Sequence, residues 1–202
     1  MTELVAVLAG IGLAAACGFR IFLPLFIASL AIQTGIDGFG GFSLSGLHGN
    51  DMVWLGTTPV TIALGVATAL EIGAYYIPWL DNALDTIATP AAMIAGTLVS
   101  FAFLPGVLDD SFVKWIAAAI VGGGTAGIVQ SGSVALRGAS SATTGGFGNW
   151  IVATVEAVGS VIAATLSVFL PLIAGVLGIL LAVFMLRKFL EFRRRLKVRA
   201  AN

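Results

Sequence analysis

From Trp150 to Leu190 the chain runs almost without charge, with Glu156 alone until Arg187 and Lys188 near the end. As a single helix this stretch would be about 60 Å long at 1.5 Å per residue. That is twice the roughly 30 Å hydrocarbon core of a bilayer. It reads as two membrane spans, and Pro171 is the one evident break between them. Water is not a plausible solvent for the rest either. The chain has 202 residues, 58% hydrophobic and only 10% charged, against about 25% charged in a typical soluble domain. The 26 glycines fit membrane helices, where small residues let backbones approach closely.

Four more spans are expected upstream. The apolar run from Leu4 to Ile32, interrupted by Gly18, Arg20 and Pro24, is too long for one upright helix and too short for two. It predicts one long tilted or broken span, with the break near GFRIFLP. A polar loop over about 34–56 holds Asp37, His48, Asn50 and Asp51. Thr58-Pro59 and Thr89-Pro90 each pair a capping residue with proline at the first helical position. They open a second span to about Trp79 and a third to about Leu104, joined by a polar connection over 81–89. After an acidic loop at 105–111, a fourth span runs from about Phe112 to Leu136. The expected fold class is all-α: a polytopic transmembrane bundle of about six spans. VATALE (66–71) echoes VATVE (152–156), so an inverted 3+3 repeat with broken helices is one arrangement to test.

Seven of the ten basic residues lie at 187–199, namely Arg187, Lys188, Arg193, Arg194, Arg195, Lys197 and Arg199. Basic residues favour the cytoplasmic side, so the C-terminus is expected there and the protein in a bacterial cytoplasmic (inner) membrane. The domain reading is one transmembrane domain over 1–190 and a basic tail over 191–202. Phe189, Leu190, Phe192 and Leu196 interleave the tail's charges. This suits an amphipathic extension of the last helix on anionic lipid better than nucleic acid. The small-residue run before Cys17 resembles a lipoprotein cleavage site but lacks a basic leader, so a retained span is expected. Trp54, Trp79, Trp115 and Trp150 near span ends match an interfacial aromatic belt.

A charge in a bilayer costs at least about 2.5–3.5 kcal/mol, which singles out Arg20, Glu71, Arg137 and Glu156. Glu71 lies deepest in its span, beside a Gly65–Ala69–Gly73 stripe that is expected to pack closely on another helix. It is either a proton- or cation-coupling carboxylate or a structural partner for an arginine. Arg137 at a span end, and Arg20 to a lesser degree, could instead snorkel to the interface. From Ser131 to Asn149 the chain is rich in Gly, Ser and Thr. Such a segment forms either a cytoplasmic loop or an irregular wall whose N–H and hydroxyl groups hold an anion. Asp81, Asn82 and Asp85 suit helix capping or a cation. His48 reads as a solvated loop residue.

GFRIFLPL (18–25), Glu71 with IPWLDNALD (77–85), and Arg137 followed by TTGGFGN (143–149) and Glu156 together resemble the bacterial membrane family catalogued as domain of unknown function 4126. The resemblance covers most of the chain outside the tail. It implies the helical fold and no particular activity. Where that pattern often sets an acidic residue after the second glutamate, this chain has Ala157.

The functional expectation is a secondary transporter or flippase for an anionic small molecule or lipid, with proton coupling. Its expected substrate-binding residues are Arg20, Glu71, Arg137, Ser140, Ser141, Thr143, Asn149 and Glu156, with Asp81, Asn82 and Asp85 as a cation or capping group. The alternative is a non-transporting membrane scaffold or assembly factor. No nucleophile–base pair, acid motif or metal-ligand cluster stands out, so no enzymatic activity, metal or cofactor is expected. The expected partners are membrane lipids and an anionic substrate, with a homodimer left open and no nucleic acid.

Overall fold

The computed structural model describes residues 2–35, 37–38, 42–43, 53–104 and 111–201. His48, Asn50, Asp51 and residues 105–110 lie outside the described residues, as do the side chains of Asp37, Trp79, Asp81, Asn82 and the tail beyond Glu191. The chain is helical almost throughout. Its helices are α1 (Thr2–Cys17), α2 (Phe22–Thr34), α3 (Thr58–Ala74), α4 (Pro78–Phe103), α5 (Ser111–Ala118), α6 (Gly124–Thr144), α7 (Asn149–Phe169) and α8 (Pro171–Ala201). The one sheet-like element described is a pair of two-residue strands, β1 (Asp37–Gly38) and β2 (Phe42–Ser43), paired antiparallel.

Four helical stretches are long and apolar enough to cross a membrane: Ala83–Phe103, Ser111–Thr144, Asn149–Phe169 and Pro171–Glu191. Three shorter apolar helices, within α1, α2 and α3, accompany them. The bundle's outer surface is apolar, with Leu70, Ile151 and Phe112 about 70% exposed (69, 70 and 72%). Its charged side chains Arg20, Glu71, Arg137 and Glu156 are buried. This is the inverse of a soluble fold and the signature of a helical membrane protein.

α1 is the central helix. Ala9, Leu13, Ala14, Ala15, Ala16 and Cys17 are all at most 2% exposed, as expected of a helix that is apolar all round. It packs on α4, α6, α7 and α8. Gly175 meets Leu8 and Gly178 meets Ala15, so α1 and α8 run parallel. Gly12 meets Ser167, Ser160 bonds the Ala16 carbonyl and Arg20 bonds the Ala153 carbonyl, so α1 and α7 run antiparallel.

The expected break in the first segment is present, over Gly18–Ile21. A Cβ at Gly18 would lie 2.5 Å from Val129 Cβ and 2.8 Å from the Ala126 carbonyl, so only glycine lets α1 end against α6. Pro24 sits in the first turn of α2, where a missing N–H removes no helical bond. Beyond the break α2 packs on α3 and α7. Past Ala153, α7 has only four residues left on its N-terminal side and sixteen on the other. A 13-residue helix lying on α7 must therefore turn back beside it. Ser29 pairs with Thr61 and Gln33 with Thr58, so α3 then returns antiparallel to α2 and brings its C-terminal end to Arg20.

Three sequence expectations need correction. Residues 81–89 are helical, not a connection: α4 starts at Pro78 and carries Pro90 inside it. Pro78 takes the first helical position twelve residues earlier, without a capping residue before it, and membrane helices absorb an internal proline. The Gly/Ser/Thr-rich segment is also helical to Thr144, with non-helical backbone only over 145–148. Finally, the packed face of α3 is Thr61, Thr68 and Glu71, not the glycine stripe. Ala69 and Gly73 are exposed.

A π-helical turn, Ala119–Gly123, joins α5 to α6. Here Gly122 lies against the Gly96 carbonyl and Ser100 of α4, so that a Cβ would overlap both. Gly124, two residues on, has nothing within 4 Å of a Cβ. Gly122→Ala is expected to cost about 1–3 kcal/mol through overpacking, while Gly124→Ala is neutral or gains up to about 1 kcal/mol in helix propensity. Melting of the two purified proteins in detergent checks this, and equal effects would contradict the close crossing.

A buried charge cluster as candidate functional site

Four helices and the α1–α2 break meet at one buried cluster. Arg20 comes from the break, Glu71 from α3, Asp85 from α4, Arg137 from α6 and Glu156 from α7. Tyr75, at the C-terminal end of α3, lies between them. Both guanidiniums pack on its ring, with Cζ 4.0 Å (Arg20) and 4.2 Å (Arg137) from the ring centre. A π face attracts cations and so helps hold two like charges near each other.

Arg137 is the hub. Its Nη1 donates to Asp85 Oδ1 at 2.7 Å. Its Nε donates to Glu156 Oε1 at 3.3 Å, and its Nη2 donates to Glu156 Oε2. The fork thus grips Glu156 with two donors, the strong form of an arginine–carboxylate pair, and ties α4, α6 and α7 together. Ser133, one turn before Arg137, also donates to Glu156 Oε1. Both arginines are buried to 1% exposure, so neither snorkels to an interface.

Glu71 does something else. α2 opens at Ile21, which offers no capping side chain, and the first N–H groups of a helix have no partner within it. Glu71 supplies the cap from another helix: Oε1 accepts from Ile21 N at 2.6 Å and Oε2 from Phe22 N at 3.0 Å.

Arg20 is the least satisfied member. Its Nη2 donates to the Ala153 carbonyl at 2.6 Å and lies 3.8 Å from Glu156 Oε2. Its Nε and Nη1 are buried with no hydrogen-bond partner among the described residues, and so is Nε2 of Gln130. Unpaired buried donors are rare and cost about 1–3 kcal/mol each. Gln130, Ser133 and Arg137 fall at helical spacing on one face of α6. Asp85, with 15% of its side chain exposed, is the most exposed of the cluster's described ion-paired side chains.

The four charges singled out in the sequence therefore converge. Asp85 joins them as a partner of Arg137. The hydroxyl residues lie further along: Ser141 accepts a bond from Asn149 Nδ2 at 2.9 Å, across the α6–α7 connection. Thr143 bonds the Ala139 carbonyl of its own helix at 3.0 Å. Ser140 packs beside Gly148. Tyr75 and Gln130 were not anticipated. The available signal was spacing, since Tyr75 is one turn past Glu71 and Gln130 two turns before Arg137.

No curated protein and no solved structure matches the chain. A family model, the domain of unknown function DUF4126, matches residues 7–190, a span that holds every residue of the cluster. The chain belongs to that family.

Proposed function

We propose that this protein is a membrane carrier for an anionic small molecule or lipid, coupled to protons, with Arg20, Tyr75 and Arg137 as its anion site. One observation carries the reading. Arg20 is buried in an apolar bundle with two guanidinium nitrogens, Nε and Nη1, that have no partner among the described residues, at the break between two helices. Buried, unsatisfied donors in such breaks suit a ligand that completes them. Proton coupling is supported by charge. Among the described side chains the two arginines face three carboxylates, Glu71, Asp85 and Glu156, and an excess of negative charge in an apolar interior favours taking up a proton.

The membrane arrangement belongs to the proposal. Basic residues at 187–199 put the C-terminus in the cytoplasm of a bacterial inner membrane. α8 then runs inward, and α1, parallel to it, enters from the outer side. The α1–α2 pair, 16 and 13 residues long, forms a re-entrant hairpin with Arg20 at its tip. α3, α4, α5–α6, α7 and α8 make five spans, one fewer than expected from sequence. Three matched spans per half do not result, so the inverted repeat is not part of this reading. Asp85 then lies toward the cytoplasmic side.

A second reading has its own support: Glu71, Asp85 and Glu156 each already have a partner, as in a scaffold with a static charged core. Uptake into proteoliposomes separates the two. Purified protein given an inward proton gradient is expected to take up at least one of phosphate, sulfate or a carboxylate, or to move an anionic lipid between leaflets, faster than protein-free vesicles. No movement of any of them would favour the scaffold.

A further inference from the structure

We infer that the N-terminus of α2 is an oxyanion subsite, and that Glu71 is its tethered occupant, displaced when it takes up a proton. The inference deepens the carrier reading and rests on it for the direction of transport, though not for binding itself.

The geometry is that of a bound anion. The Glu71 carboxylate straddles two successive backbone N–H groups, one oxygen on each, at 2.6 and 3.0 Å. α2 is 13 residues long, and its N-terminal end carries partial positive charge. A carboxylate or phosphate group of a substrate would meet the same two donors. Arg20, the residue just before them, adds what an ordinary capping contact does not use. Its buried Nε and Nη1 have no partner among the described residues, and its charge acts on Glu71 electrostatically. Arg20 therefore brings, next to the subsite, donor capacity that Glu71 does not fill.

The occupant is also suited to leave. It reaches in from α3, so its withdrawal need not unwind α2. Once protonated, the carboxyl group keeps one good acceptor oxygen and cannot satisfy both N–H groups. The charge balance closes as well. A proton joins Glu71 as it departs, and the incoming monovalent oxyanion replaces the negative charge, so the cluster's total is unchanged. One proton then accompanies each such anion. Among the described residues, the other titratable or charged groups facing Glu71 are Cys17 of α1, Arg20, Tyr75 on its own helix and Arg137 of α6. Asp85 and Glu156 stand behind Arg137.

Anion-dependent melting of the purified full chain in detergent tests this without requiring transport. Formate and phosphate probe soluble sources, and micelles doped with phosphatidic acid probe a lipid headgroup. Wild type is expected to be stabilised by at least one probe at pH 5.5, with an apparent affinity at least about tenfold weaker at pH 8. Glu71→Ala should melt lower than wild type without added anion and be restored by the same probe at both pH values. Glu71→Gln, the milder change, should bind it without pH dependence. Response to formate or phosphate assigns a soluble ligand, and response to phosphatidic acid alone assigns a headgroup. If none of the probes stabilises either variant, or wild type binds equally at both pH values, Glu71 is a helix cap only and the inference is overturned. Anion rescue in a protein that moves no anion would leave the subsite standing and remove the carrier reading.

Discussion

Arg137→Ala is expected to cost about 3–5 kcal/mol of stability, the range for breaking a buried ion pair by removing one partner. The substitution takes charged donors from two carboxylates at once. Glu156 loses both prongs of the fork, and Asp85 loses the Nη1 donor at 2.7 Å. Three helices lose their common link in the same step. Arg137→Lys should rescue little, because a single ammonium cannot reproduce a fork that grips Glu156 while reaching Asp85. Neutralising those carboxylates should restore part of the loss: Arg137→Met combined with Glu156→Gln and Asp85→Asn is expected to melt above Arg137→Ala. Thermal melting of the purified proteins reads all of this. A single variant within about 1 kcal/mol of wild type would show that the ion pairs do not hold the bundle together.

The sequence made the charges legible because their cost in lipid is large and visible one residue at a time. Arg20, Glu71, Arg137 and Glu156 stood out for that reason, and they meet. Tyr75 escaped notice because an aromatic residue near a span end is ordinary, and its role as a platform for two guanidiniums exists only in three dimensions. Gln130 and Ser133 carry no charge and so raised no comparable alarm. From Ser131 to Thr144 the composition points to a loop or irregular wall, because Gly, Ser and Thr weaken helices in water. Within a bundle the same residues allow close contact, and no water competes for the backbone. The return of α2 alongside α7 was out of reach altogether. Apolar runs report that helices exist and how long they are, while the direction after a break is set by packing partners.

Arg20→Met separates function from scaffold most directly. Arg20 leaves no carboxylate without a closer partner when it goes, since Glu156 keeps Arg137 and Glu71 keeps the N–H groups of Ile21 and Phe22. Its removal also relieves two buried donors that have no partner among the described residues. A methionine of similar reach retains contact with Tyr75. The stability cost should therefore stay below about 1.5 kcal/mol, well under that of Arg137→Ala, while the anion site loses the charge that completes it. The decisive measurement is anion uptake into proteoliposomes by wild type and Arg20→Met, alongside their melting temperatures. The expected result is a folded variant with uptake reduced at least about tenfold, as for a lost buried charge contact to ligand. A folded variant that carries the anion at the wild-type rate would contradict the assignment of Arg20 to the pathway, and with it the central claim.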